Sequence, residues 1–171
     1  MCLALALGMG LTLTTAGVST AAPEAVPAQG TSLSPTSAAA CPGEGERVKK
    51  TTEGRVYVYA RGPAGSTLYW IPDAAVYNNL WGSWDGIITL PDAQFDLCYP
   101  NPSRHLYNGH LVKRSNGAVY IWDASMPRAD GRLGIYRWIP NWDIFANKYH
   151  FDPAKIQAAP AVFHTNTPYW W

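Results

Sequence analysis

The residue types best equipped to touch a ligand in this chain are indoles and phenols: it holds eight Trp and ten Tyr, and aromatic residues make up 13% of it. Each such ring has an apolar face and, in Tyr and Trp, a polar tip, so it can stack on the CH face of a pyranose and still donate a hydrogen bond. Trp70, Trp138 and the terminal run Tyr169-Trp170-Trp171 are therefore the candidate ligand-binding residues, with Asn78, Asn79, Asn108, Asn141 and Asn166 as available hydrogen-bonding groups. The same rings also build cores. Trp70 and Trp138 are expected in equivalent buried places, with an exposed platform as the alternative, and the terminal rings are expected either to dock on the first module or to bind.

Residues for covalent or acid–base chemistry are sparser. Gly82-Ser83-Trp84-Asp85-Gly86 only loosely resembles the Gly-x-Ser-x-Gly elbow of serine hydrolases, since its Ser follows the first Gly directly, and it reads as a turn. Asp85 and Asp152 recur at related places and would suit acid and base roles on a glycosidic bond, but a carboxylate repeated in this way serves more simply to cap a turn. The histidines His105, His110, His150 and His164 lack the i,i+4 helical pairing typical of zinc sites. Gly43-Glu44-Gly45 lacks the rest of a phosphate loop. No catalytic residue, metal ligand or cofactor is expected, and a small hydrolase using Asp85, Asp152 or a histidine is the remote alternative.

Composition narrows the partners. Charged residues are 15% of the chain and the formal net charge is +1, with Lys and Arg scattered, so neither nucleic acid nor an anionic membrane surface is indicated. Residues 1–21 combine an apolar run too short to span a bilayer with small residues at Ser19-Thr20-Ala21, the pattern of a secretory signal peptide, although no Lys or Arg precedes the run. No later stretch of the sequence is apolar for long enough to cross a membrane. Residues 22–40 are Ala, Pro, Ser and Thr with almost no large apolar side chain, and are expected to be a disordered linker. In an oxidising compartment Cys41 and Cys98 would pair, stabilising the fold by about 4 kcal/mol through restriction of the unfolded chain. A lipid anchor on Cys41, after Ala38-Ala39-Ala40, is the rival, weakened by the distance to the apolar run.

These residues are positioned by a pattern that occurs twice. At an offset of 63, Val48-Lys49-Lys50 falls on Leu111-Val112-Lys113, Gly54 on Gly117, and Val56-Tyr57-Val58-Tyr59 on Val119-Tyr120-Ile121-Trp122. After a connection five residues longer in the second copy, Tyr69-Trp70-Ile71-Pro72-Asp73 falls on Arg137-Trp138-Ile139-Pro140-Asn141 at an offset of 68, as do Tyr77 on Phe145, Ile88 on Ile156 and Phe95 on Phe163. Each copy, about 48–97 and 111–163, predicts a hairpin closed by a loop (Arg61 to Ser66, Ala124 to Gly134), then a short helix capped by Asp73 or Asn141 (Ala74 to Leu80, Trp142 to Lys148). A brief extended piece follows (Gly86 to Leu90, Ala154 to Ala158). A ribbon of two strands cannot bury its apolar face alone, so the copies should pack together by a pseudo-twofold or side by side. The expected fold is α+β and β-rich: two tandem ββα-like modules in a single domain over 41–171.

Val-Tyr, a turn, and Arg-Trp-Ile-Pro-Asn with an aromatic residue four positions on resembles a short tandem repeat of extracytoplasmic proteins from actinobacteria and other bacteria. There it accompanies catalytic or cell-wall domains as an accessory module. The resemblance covers 111–163, and 48–97 more loosely, where Tyr69 stands in place of the basic residue. It implies an extracellular accessory or binding role and brings no catalytic residue or ligand with it. The sequence thus points to a secreted, non-catalytic binding protein, extracellular or associated with the cell wall, that recognises a cell-wall or environmental polysaccharide through aromatic side chains. The alternative is a protein-binding module, an inhibitor or surface-assembly component, using the 124–134 loop with Met126-Pro127-Arg128. Oligomeric state is left open.

Overall fold

Val56-Tyr57-Val58-Tyr59 and Leu68-Tyr69-Trp70-Ile71 send alternate side chains to opposite faces, and they pair as an antiparallel ribbon. The computed structural model describes residues 40–62, 65–101 and 103–165, which belong to one compact unit beginning at Ala39. Strands β1 (Arg47–Lys50), β2 (Val56–Gly62), β3 (Gly65–Ile71), β4 (Ile87–Leu90) and β5 (Arg104–His105) form one mixed sheet, in the order β4-β1-β2-β3-β5. Strands β6 (Leu111–Lys113), β7 (Val119–Pro127), β8 (Leu133–Ile139) and β9 (Gln157–Ala158) form a second, in the order β8-β7-β6-β9. Helix α1 (Ala74–Asn78), helix α2 (Asp92–Cys98), a π-helical turn (Asp143–Lys148) and a 3-10 turn (Pro153–Lys155) accompany them. The fold is α+β and β-rich. Among the described residues no helix is long and apolar enough to cross a membrane.

The two hairpins share one register. Under the offsets of 63 and 68, the pairs from Val56↔Ile71 to Ala60↔Thr67 map onto those from Val119↔Ile139 to Asp123↔Ile135. The first strand of each sheet was not assigned from sequence, and here the offset needs correcting by one residue. Val48 lies opposite Tyr57, whereas Val112, not Leu111, lies opposite Tyr120. A slip of one residue exchanges the faces of a strand, so Arg47 takes the inward place that Leu111 occupies in the second module.

Strand pairing also runs further than the sequence suggested. The first hairpin pairs through Gly62↔Gly65, and the second reaches Pro127↔Leu133 across a bulge, so the expected 124–134 loop is mostly ribbon closed by residues 128–132. Gly134 serves that bulge: its φ is +98°, and a Cβ there would stand 2.4 Å from the Trp122 indole. The predicted caps are present, with Asp73 Oδ1 accepting from the Val76 amide at 2.8 Å and Asn141 Oδ1 from Ile144 at 2.9 Å. The helices are shorter than expected: α1 ends at Asn78, and its counterpart begins at Asp143 as a π-helical turn.

The alternation along β3 and β8 overturns the expected burial of Trp70 and Trp138. Val56, Val58, Tyr69 and Ile71 of the first sheet share a core with Leu111, Ile121 and Ile139 of the second, joined by Tyr77, Trp81, Phe145 and Tyr149. Because the neighbours of each Trp point inward, Trp70 and Trp138 both face outward. They remain equivalent, opposite Tyr57 and Tyr120, but Trp70 is half-buried and Trp138 is 37% exposed.

The outer face of the first sheet is covered by α2, an element the sequence analysis did not assign. Its Phe95, with Tyr99 and Leu90, packs on Val48, Tyr57 and Leu68. The Cys41–Cys98 disulfide, with Cα atoms 5.5 Å apart, ties this helix to the segment that leads into β1. Where the modules meet, equivalent positions touch. The Arg137 guanidinium donates to the Tyr69 hydroxyl at 3.2 Å, and the Trp81 indole donates to the Tyr149 carbonyl at 2.8 Å. In both contacts a residue meets the one that the offset of 68 matches to it.

Candidate functional site

Trp70 and Trp138 each form a wall of a pocket at the same corner of their module. In the first module the pocket, of about 280 Å³, lies among Gly54, Arg55, Trp70, Pro72, Tyr77 and Trp84. In the second, of about 370 Å³, it lies among Asn116, Ala118, Trp138, Pro140, Asn141, Trp142 and Phe145. Turn, ribbon and helix cap therefore build one concavity twice, from residues matched by the two offsets.

The two differ in what fills them. The Arg55 guanidinium lies 5.7 Å from the centre of the Trp70 ring, a cation–π contact, and His105 and Tyr107 pack edge-on against the same indole at 5.2 and 6.3 Å. Trp84 stacks on Tyr77 with centroids 3.8 Å apart and planes 11° apart. Arg47 secures the segment that carries Trp84, donating to the carbonyls of Ser83 at 3.1 Å and Asp85 at 2.7 Å and to the Tyr77 hydroxyl. The first pocket is thus lined by side chains already engaged with one another.

In the second pocket Ala118 stands where Arg55 does, so the arginine of the first pocket has no counterpart at that position. Trp142 stands where Ala74 does, stacked on Phe145 at 5.2 Å and 60% exposed. Two indoles, Trp138 and Trp142, border this concavity together with the amides of Asn116 and Asn141. Asn116 Oδ1 accepts from Ala118 N and Asn141 Oδ1 from Ile144 N, which orients each side chain and leaves its amino group as a donor. An apolar wall with a few fixed donors is the composition of a small-molecule or sugar subsite.

Of the sequence candidates, the structure thus places Trp138 at the larger pocket and Trp70 at the smaller one. Tyr169, Trp170, Trp171 and Asn166 lie outside the described residues. Cys41 and Cys98 are bonded to each other. Asp85 and Asp152 are spent on local turns: Asp85 Oδ2 accepts from the Ser83 hydroxyl at 2.6 Å, and Asp152 Oδ1 accepts from Ala154 N at 2.9 Å. Ser83 therefore donates to a carboxylate within its own turn rather than to a histidine. His110 bridges Tyr136 and the Asn108 carbonyl, and His164 meets Arg128 at 2.9 Å. Among the described residues no three His, Cys, Asp or Glu gather in a way that would hold a metal ion.

Sequence reasoning missed Trp142, Arg55 and Trp84. The signal was present in the mismatches between copies, Arg55 against Ala118 and Ala74 against Trp142, beside the matched tryptophans. No family model, curated protein or solved structure matches the chain.

Proposed function

We propose that this chain is a secreted, non-catalytic binding protein that recognises polysaccharide through the aromatic pocket of its second module, the larger of the two matched pockets. The observation that carries the reading is the pair Trp138 and Trp142, 37% and 60% exposed, around a pocket of about 370 Å³ with the amides of Asn116 and Asn141 beside them. A pyranose offers CH faces to indoles and hydroxyls to amides, the two chemistries this pocket combines. The leader-like residues 1–21 and the Cys41–Cys98 disulfide support an extracellular or cell-wall location.

Co-sedimentation with insoluble peptidoglycan, chitin and cellulose, and tryptophan fluorescence titrated with their soluble fragments, test the reading. At least one polymer should retain the protein, and Trp138→Ala should weaken that binding about tenfold, equivalent to about 1.4 kcal/mol. Retention on none, with unchanged fluorescence, overturns it.

A second reading, protein recognition through the extended β7–β8 ribbon, has one favouring observation. Leu133 at its tip is 64% exposed beside a turn braced by the Arg128–Asp130 ion pair. Replacing 128–132 with a two-residue turn separates the two readings, because polysaccharide retention should survive and partner capture should not.

A further inference from the structure

Next to the aromatic pocket, sharing Gly117 and Ile156 with it, an open groove of about 730 Å³ is walled by Lys113, Arg114, Gln157 and Pro160. The first module supplies an internal control for its charge. There the Lys50 ammonium lies 5.3 Å from the centre of the Phe95 ring; here the Arg114 guanidinium lies 5.1 Å from the centre of Phe163, the counterpart of Phe95. With the strand register corrected by one residue, Lys50 falls on Arg114, so the two cations stand at matching places on matching rings.

Their surroundings are opposite. Lys50 Nζ is 2.8 Å from Asp96 Oδ1, and that hydrogen bond, with the charges of Asp96, Glu53 and Asp92, holds the ammonium more firmly protonated than usual. In the second module, at the same offsets, Glu53 becomes Asn116, Asp92 becomes Pro160 and Asp96 becomes His164. All three carboxylates are gone, and His164 is engaged by Arg128. Helix α2, which carries Asp92 and Asp96 over the first sheet, has no helical counterpart over residues 160–165, so the groove stays open. Lys113, on the adjoining strand, is exposed. The phenyl platform under Arg114 limits its rotamers, which lowers the entropy lost when it grips an anion.

We propose that this groove is an anion subsite: the bound polysaccharide carries a carboxylate or phosphodiester beside the pyranose stacked on Trp138 and Trp142, and Lys113 and Arg114 receive it. This rests on the polysaccharide reading and names the class of polymer within it. Two exposed cations interact with an exposed anion weakly and in a salt-dependent way, so the subsite sets preference among polymers rather than the bulk of the affinity.

The test measures affinity of the full chain for oligogalacturonate (carboxylate), poly(glycerol phosphate) (phosphodiester) and neutral xylo-oligosaccharide, at low ionic strength and at about 0.5 M salt, where screening shortens the reach of charge to a few ångströms. At low salt an acidic polymer should bind about tenfold or more tightly than the neutral one, and the advantage should fade at high salt. The tighter of the two acidic arms names the source of the anion. Lys113→Gln with Arg114→Gln should abolish the advantage, leave neutral binding and thermal unfolding unchanged, and Arg114→Lys should restore part of it. Equal binding of charged and neutral polymers, or an advantage that survives the double substitution, overturns the subsite while leaving the polysaccharide reading in place. Binding of none of the three, together with no retention on the insoluble polymers, overturns both.

Discussion

Arg137 is completely buried, and its guanidinium lies 3.2 Å from a carboxylate, Asp123, that is equally buried. Nη1 also reaches the Tyr69 hydroxyl, and Nη2 reaches the Arg61 carbonyl at 2.6 Å, so one side chain joins both sheets. The first module carries Tyr69 and Ala60 at the corresponding positions, a neutral solution to the same packing problem. Removing one member of a buried pair leaves the other charge without compensation, whereas replacing both with apolar groups avoids that cost. Asp123→Ala should therefore lower unfolding free energy by about 3–5 kcal/mol, and Arg137→Met in the same chain should recover much of the loss. Urea unfolding of the two single variants and the double variant measures this, and simple additivity would remove the pair from its assigned role. Arg47 also points inward, and among the described residues its Nε has no hydrogen-bond partner; the guanidinium lies 5.5 Å from the Trp81 ring instead.

At the scale of elements, the modules diverge most where α2 lies. Proline 91 opens the helix, Phe95 and Tyr99 present one apolar edge, and Cys98 anchors it through the disulfide. Seven residues, with Phe95 and Leu97 spaced as on a strand, are too short a stretch for a helical period to stand out, which is why this element is not legible in the sequence while its cysteine is. Cys41→Ser with Cys98→Ser should lower stability by about 4 kcal/mol in the chain-entropy account. Because the larger pocket belongs to the second sheet, the same variant should keep the polysaccharide affinity proposed for that pocket at temperatures where it remains folded; chemical denaturation paired with binding measures both. A loss of binding without unfolding would place the site in the first module instead. The longer β7–β8 connection, which the sequence predicts to be a loop, is paired backbone up to Pro127↔Leu133, because ladder hydrogen bonds satisfy strand groups that a long loop would leave to water.

For the molecule as a whole, the join between modules is rich in phenols with little access to water. Burial, reinforced by the charge of Asp123, raises the Tyr69 hydroxyl, and burial raises Tyr149 in the same direction. Burial also pushes Tyr99 up to about 12, against an unperturbed value of 10.0. A pKa raised by folding means that the folded state holds the proton more tightly. The corresponding stability is whole below about pH 10 and is lost as pH rises through the folded values. The melting temperature should thus stay nearly level from about pH 7 to 9 and fall steeply above about pH 10, with tyrosinate absorbance rising together with unfolding. Normal titration of every tyrosine in a protein still folded would contradict the buried join.

The sequence by itself determined the parts that local chemistry governs: the two hairpins, the capping roles of Asp73 and Asn141, the correspondence of Trp70 with Trp138, and the cysteine pair. These follow from β-branched alternation, side-chain oxygens placed before helices, and an even count of thiols, none of which needs knowledge of distant contacts. Tertiary structure decided the rest. Alternation told which side chains share a face but not which face the second module would cover, so Trp138 emerged exposed and Arg47 and Arg137 buried. The second pocket and its basic neighbour depend on absences at matched positions: Ala118 where Arg55 stands, and Asn116, Pro160 and His164 where the first module has Glu53, Asp92 and Asp96. Such absences acquire meaning only when packing brings the flanking turn, ribbon and strand edge together.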